Sequence, residues 1–276
     1  MKLAAVKTLL NHIYADIDAN HGKISFARYI EMALYAPGLG YYSAGAAKLG
    51  NDGDFVTAPE ISPLFGQCIA KQCEQVLQPS DSILELGAGT GKMAVDILQT
   101  IQPERYYILE VSADLKERQQ QRLKTELPDL YHRVEWLSSL PEKDSFKGVI
   151  VANEVLDALP VHRFRLDETG IQEIYVRKGN EGLEFYYDKP TSPGLLEAIK
   201  LLQNDFLKDI QDYESEIHLT IPPLLNSLGD SLHRGLILLI DYGFPAHEYY
   251  HPDRNRGTLM CHHQHRSHDN PLIFSC

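Results

Sequence analysis

The chain lacks a long hydrophobic run. No apolar stretch of 18 residues occurs among its 276, so no membrane-spanning helix is expected. Its first twenty residues carry Asp16 and Asp18 and no extended apolar core. They read as neither a secretory signal nor an Arg-rich transit peptide. Cysteine is scarce: four residues without a framework spacing argue against a disulfide scaffold and for a reducing, cytoplasmic compartment. Positive charge is also in deficit. Lys and Arg number 26 against 38 Asp and Glu, a net charge of −12, which argues against a nucleic-acid partner. Hydrophobic residues make up 43%, an ordinary share for a globular core, and the length allows one large domain or a domain with an accessory lobe.

What is present centres on Asp81 to Leu98, DSILELGAGTGKMAVDIL. A short apolar run (Ile83, Leu84, Leu86) predicts a buried strand. Gly87, Gly89 and Gly91 predict a tight turn, and Met93, Ala94, Ile97 and Leu98 mark one face of a helix. Strand, glycine turn and helix N-terminus place free N–H groups and partial positive charge at a strand end, where open α/β sheets bind nucleotide-like ligands. A P-loop does not fit, because Leu86 stands at the first glycine position and Met93 at the hydroxyl position. A nicotinamide-binding G-x-G-x-x-G fits poorly, because Lys92 replaces its third glycine. The remaining pattern, E-x-G-x-G-x-G from Glu85 to Gly91, resembles the first motif of Rossmann-like methyltransferases dependent on S-adenosylmethionine (SAM).

The next apolar run, Tyr106 to Val111, carries Glu110 near its end, 23 residues after Gly87. That is close to the spacing at which an acid meets the ribose hydroxyls. The competing reading is a helix cap, a role open to Ser112 or Asp114. Ala113 to Leu127 reads as a charged surface helix. His132 to Trp136 reads as a third strand, Gly148 to Ala152 as a fourth, and Gly235 to Gly243 as a fifth, apolar enough to be buried on both faces.

Ahead of this core, Lys2 to Ala19 and Ser25 to Leu34 have helical periodicity, and Gly40 to Asp54 reads as a glycine-rich loop. Ser62-Pro63 reads as an N-cap and first helical position. The helix that follows is expected to bury Leu64, Phe65, Cys68, Ile69, Cys73, Val76 and Leu77, so both cysteines have a core reading. Arg163 to Tyr187 contains three short strand-like runs, a small antiparallel insertion. A helix over Pro193 to Leu207, an extended piece over Glu216 to Thr220 and a helix over Ile221 to Leu232 complete the segment.

Taken together, ISFARYIEMALYAPGLGYYS, GNDGDFVTAPEISPLFGQ, ILELGAGTGKMAVDIL, the ANExxDALPV pattern from Ala152 to Val161 and Asp241-Tyr242-Gly243 resemble the MidA-type SAM-dependent methyltransferases. That family includes the mitochondrial complex I assembly factor that methylates an arginine. The resemblance implies an α/β, Rossmann-like sheet of order 3-2-1-4-5-7-6, capped by the N-terminal helices and the TAPEIS segment. The expected division is residues 1–80 as helical cap, 81–162 and 232–276 as methyltransferase core, and 163–231 as insertion lobe. SAM is the implied cofactor. Gly87, Gly89 and Gly91 would lie against its methionine part, Glu110 would hold its ribose, and Glu85 would orient the turn or meet the SAM ammonium. Asn153 would stand beside the cofactor. Glu154, helped by Asp157, is the expected catalytic pair, since a guanidinium's fork of donors matches carboxylates. Glu60, Asp241, His265 and His268 are lesser candidates. The implied partner is a protein substrate, by family a respiratory complex I subunit.

Only 35 residues follow Asp241 and none forms two clear strands, so the final hairpin is expected to be missing and the fifth strand to be an open edge. Cys261, His262, His263, His265 and His268 are metal-ligand types, but no second compact ligand pair balances them, and no metal is expected. The competing function is a non-catalytic one, a scaffold or assembly factor that binds SAM or nothing.

Overall fold

A computed structural model describes residues 2–43, 57–208, 210–263 and 266–273. Most of the expected loop from Gly40 to Asp54, and His265, fall outside them. Helix α1 (Lys2–Ala19) leads through a short strand, β1 (Lys23–Ser25), into α2 (Phe26–Tyr35). Ser25 caps α2, its Oγ accepting the Arg28 N–H at 3.1 Å. After α3 (Ala58–Ile61), Ser62 caps α4 (Pro63–Glu74) in the same way through the Leu64 N–H, with Pro63 in the first turn. Strands and helices then alternate: β2 (Ser82–Leu86), α5 (Lys92–Thr100), β3 (Tyr106–Leu109), α6 (Ala113–Glu126), β4 (Val134–Leu137) and β5 (Phe146–Asn153). Next come β6 (His162–Asp167), β7 (Gly170–Lys178), β8 (Leu183–Asp188), α7 (Leu195–Asp205) and β9 (Tyr213–Ile217). The chain then forms α8 (Ile221–Ser231), β10 (Leu232–Ile240), α9 (Ala246–Tyr249), β11 (Cys261–His263) and β12 (Arg266–His268). Among the described residues no helix is long and apolar enough to cross a membrane.

The chain divides into two compact units. One comprises Tyr42–Ala158 and Pro222–Tyr242 and holds a parallel sheet of order β10-β5-β2-β3-β4. This is the 5-4-1-2-3 run of the expected order. The sheet is buried on both sides because alternate residues serve two cores. Val149 and Val151 of β5 join Ile69, Cys73, Met93, Ile97 and Leu123 on one face. Ile150 and Ala152 join Leu84, Phe146 and Leu228 on the other.

Two expectations within this unit need correction. The buried stripe of α4 is Gly66, Ile69, Ala70 and Cys73, and Cys68 and Leu64 are exposed. Gly66 sets that stripe, because a Cβ there would lie 2.5 Å from the Asp96 Cβ of α5, so only glycine lets the helices meet so closely. Helix α6 lies on the surface as expected and buries Gln119 and Leu123 on its inner face. Strand β10 is only partly covered, with Leu236 36% exposed. Among the described residues it pairs in this sheet with β5 alone, so it holds the expected edge position but is not buried on both faces.

The other unit comprises Met1–Tyr41, Leu159–Ile221 and Gly243–Cys276. Its antiparallel sheet runs β1-β7-β6-β9, with β8 on β7. Ile13, Ile17, Phe26, Tyr29 and Met32 of the first two helices pack with Val176 of β7. Leu195 and Ile199 of α7 pack with Phe164, Tyr213 and Ile217. These bounds differ from the sequence division. Pairing of β1 with β7 joins α1 and α2 to the antiparallel sheet, whereas α4 packs on α5 of the parallel unit. The extended piece expected at Glu216 to Thr220 lies earlier, as β9.

Candidate cofactor and acceptor site

Sheet register aligns the site. Leu86 pairs with Leu109 and Ala152, and Asn153 pairs with Ile240. Gly87, Glu110, Glu154 and Asp241 therefore each begin the segment that follows the carboxyl end of a neighbouring parallel strand. The direction of winding reverses between β2 and β5, the place where open α/β sheets take their ligands.

The glycine turn is built from left-handed backbone. Gly87, Gly89 and Gly91 have φ of +60°, +53° and +81°, which a side chain at any of them would strain. Gly91 is the N-cap of α5 and supplies no side-chain acceptor, so the first helical N–H groups face a ligand site uncapped by it. An ideal Cβ at Gly87 would stand 3.0 Å from Val155 Cγ2, so the turn also closely approaches the loop after β5. Thr90 at the tip donates to Glu60 of the TAPEIS segment and accepts from Arg122 Nη1 of α6 at 2.8 Å. Arg122 lies 3.6 Å from the same Glu60 carboxylate. Glu60, named from the sequence only by resemblance, thus holds the turn.

Glu110 accepts the Ser112 N–H at Oε1 and the Gln119 amide at Oε2, both at 2.9 Å. Burial raises its pKa, against the pull of these donors. Ser112 is the cap of α6, its Oγ accepting the Leu115 N–H, so Glu110 is not consumed in that role. The carboxylate retains acceptor capacity for a further donor. Glu85 is buried, 1% exposed, and receives the Tyr106 hydroxyl at 2.7 Å. Burial, with the Glu110 charge behind it, pushes its pKa up to about 7. Its carboxyl group therefore ties β2 to β3.

Four groups form the acidic part. Glu154 follows β5 with φ of +49°, a left-handed conformation unusual for a side-chain-bearing residue, and its N–H is held by Ile240 O at 2.9 Å. Asn153 hydrogen-bonds its carboxylate. Asp157 receives the Tyr242 hydroxyl at 2.7 Å. Asp241 accepts the N–H groups of Leu156 and Asp157 at Oδ2 (2.9 and 3.2 Å) and of Tyr242 at Oδ1 (2.9 Å). It clips the acid loop to the end of β10. Partial withdrawal from water raises the pKa of Glu154 and Asp157, and neighbouring carboxylates add to the rise. The Tyr42 hydroxyl is pushed up to about 12 by burial and by the charges of Asp157, Glu154 and Glu110. Among the described residues, no Lys or Arg contributes to the titration of Glu154 or Asp157.

Sequence reasoning missed Gln119, Arg122, Tyr42 and Tyr242. Gln119 sits in the run Gln119-Gln120-Gln121, and nothing local marks which of the three turns inward. His268 belongs to the other unit, and His265 lies outside the described residues. No group of three or more His, Cys, Asp or Glu suited to a metal occurs among the described residues.

A left-handed glycine turn, a helix start without a side-chain cap and a held carboxylate with spare acceptor capacity fit a ligand with an anionic or polar tail and a ribose. A family of SAM-dependent methyltransferases matches residues 64–275. Protein arginine methyltransferase NDUFAF7, mitochondrial, of Danio rerio is 29% identical over 86% of this chain and 62% of its own length. The Homo sapiens protein of the same name is 27% identical over 96% of this chain and 64% of its own. This chain thus spans a little under two thirds of the length of both. A COG1565 superfamily member from Burkholderia thailandensis, crystallised with S-adenosyl-homocysteine, superimposes with a TM-score of 0.90 at 40% identity. That match covers 99% of this chain and 72% of the other. The matched segment contains the glycine turn, Glu110 and the acid loop, and the chain belongs to the S-adenosyl-L-methionine-dependent methyltransferase family.

Proposed function

We propose that this chain binds SAM between the glycine turn and Glu110 and methylates a guanidinium nitrogen of a protein arginine held by Glu154 and Asp157. The observation that carries the reading is the grouping of Glu154, Asp157 and Asp241 beside the turn, where no Lys or Arg among the described residues contributes to the titration of Glu154 or Asp157. Burial and the neighbouring carboxylates raise the pKa of both acids, and a bound cation would offset that rise. A guanidinium supplies that charge and a planar fork of donors. When bound, SAM supplies an electrophilic methyl group on a sulfonium. The turn glycines allow close backbone approach to its methionine part, and Glu110 accepts from its ribose hydroxyls. Glu154 and Asp157 orient the guanidinium, and Glu154 is placed to take the proton that the methylated nitrogen gives up. Asp241 acts through the loop it clips. The relatives named as protein arginine methyltransferases support the choice of acceptor. Within that class, a respiratory complex I subunit is the partner that the family resemblance implies.

The test is calorimetric titration of the 276-residue chain with SAM, with NAD as control, followed by methyl transfer to arginine peptides. SAM binding without NAD binding supports the cofactor reading, and absence of SAM binding to folded protein refutes it in favour of a scaffold role. Glu154→Gln is expected to keep SAM affinity and to lose about 100-fold or more in transfer rate. A wild-type rate for that variant would overturn the acceptor assignment.

A further inference from the structure

Gln119 has no assigned role, yet its side chain joins three parts of the site. It is fully buried. Its Nε2 donates to Gly89 O of the turn and to Glu110 Oε2, both at 2.9 Å. Its Oε1 accepts the Trp136 indole N–H at 3.0 Å. The orientation of this amide is chemically determined, because an indole nitrogen only donates and a carbonyl and a carboxylate only accept. One helical turn further along α6, Arg122 donates to Thr90 of the same turn. Positions i and i+3 of a helix share a face, so α6 presents two donors to the turn side by side. The Gln119 backbone is close as well: a Cβ on Gly91 would lie 3.4 Å from Gln119 Cα.

We infer that Gln119 is the positioning residue that couples the glycine turn to Glu110 and fixes the Glu110 carboxylate for a ribose hydroxyl. The inference rests on the SAM reading above. Glu110 already accepts one donor at each oxygen, from Ser112 on one side and Gln119 on the other. These two donors lock the plane of the carboxylate. With the Val111 backbone as a third donor, the carboxylate still keeps acceptor capacity, which suits a ribose hydroxyl. Without Gln119 the carboxylate loses one of its two locks, and Gly89 O loses its link to α6. The same amide makes Trp136, the only tryptophan of the chain, a reporter of the site, two hydrogen bonds from Glu110.

The test uses S-adenosyl-homocysteine as probe on the whole chain. Binding is measured by calorimetry for wild type, Gln119→Met, Glu110→Gln and the double variant, with Trp136 emission followed in parallel. Gln119→Met is expected to weaken binding about tenfold, the scale of one hydrogen bond to a charged group. In the Glu110→Gln background the same change is expected to cost less than about threefold, because most of its effect passes through Glu110. Ligand is expected to alter Trp136 emission in wild type and to leave it unaltered in Gln119→Met at saturation. If Met at this buried position prevents folding, Gln119→Asn carries the same comparison, since its amide is one methylene short of both partners. Equal losses with and without Glu110, or an unchanged Trp136 response in the Gln119 variant, would overturn the inference while leaving SAM binding intact. Failure of the wild-type chain to bind the probe would instead refute the cofactor reading, and the Gln119 role with it.

Discussion

Replacing Glu85 with Gln should remove the pH dependence that this residue imposes on folding. In the unfolded chain the carboxyl titrates near an ordinary 4.5, and burial between β2 and β3 lifts it to about 7. Between those values the folded protein holds a proton that the unfolded chain has released. The contribution of Glu85 to stability is therefore fully present below about pH 4.5 and is lost as pH rises through about 7. At about 1.4 kcal/mol per pH unit, the loss reaches roughly 3 kcal/mol by pH 8. Glutamine keeps an acceptor for the Tyr106 hydroxyl and cannot ionise. Glu85→Gln should match wild type within about 1 kcal/mol near pH 5 and exceed it by roughly 3 kcal/mol at pH 8. Urea unfolding of both proteins at pH 5, 6, 7 and 8 gives the difference directly, since the other titrating acids are common to both. A difference that stays constant across this range would refute the reasoning. It would mean that Glu85 is ionised in the folded protein throughout and stabilised by donors other than Tyr106.

Asp241→Asn can offer only one oxygen where the carboxylate uses two, so it must give up the Leu156 and Asp157 N–H groups or that of Tyr242. It should cost about 1–3 kcal/mol of stability and lower methyl transfer with SAM affinity retained, as read by denaturation, turnover and calorimetry. Arg234→Met leaves the Asp81 carboxylate, buried and now held at 2.6 Å by Arg234 Nη2, without its cation. A loss of about 2 kcal/mol is expected at pH 7. Burial tends to raise the pKa of Asp81, but the Arg234 and Gln78 donors outweigh it, and the net direction is down. The stability this pair gives is present above the ordinary carboxylate range and lost as pH falls below it, so the gap between wild type and variant should close on acidification.

Local chemistry made much of this protein legible in its sequence. Ser25 and Ser62-Pro63 mark helix starts because a side-chain oxygen before a helix satisfies N–H groups that have no other partner. Gly87, Gly89 and Gly91 mark the turn because their left-handed backbone excludes side chains. Apolar runs of strand length, alternating with helical periodicity, predict a parallel sheet, and Glu110 and Glu154 stand at ends of such runs. The tertiary structure alone decided what depends on distant partners. Cys68 and Leu64 look apolar in sequence, but the close approach of α4 to Asp96 at Gly66 rotates them outward. Glu85 reads from sequence as orienting the turn or meeting the ligand's ammonium, and only the packed sheet shows it buried with the Tyr106 hydroxyl donating to it. Pairing of β1 with β7, across some 150 residues of sequence, carries α1 and α2 onto the antiparallel sheet. Gln119 is indistinguishable from Gln120 and Gln121 until α6 packs and turns one amide toward Gly89 and Glu110. Backbone propensity and short-range hydrogen bonding act over a few residues and are written in the order of amino acids. Which polar side chain is buried, and against what, is set only when segments far apart in the chain meet.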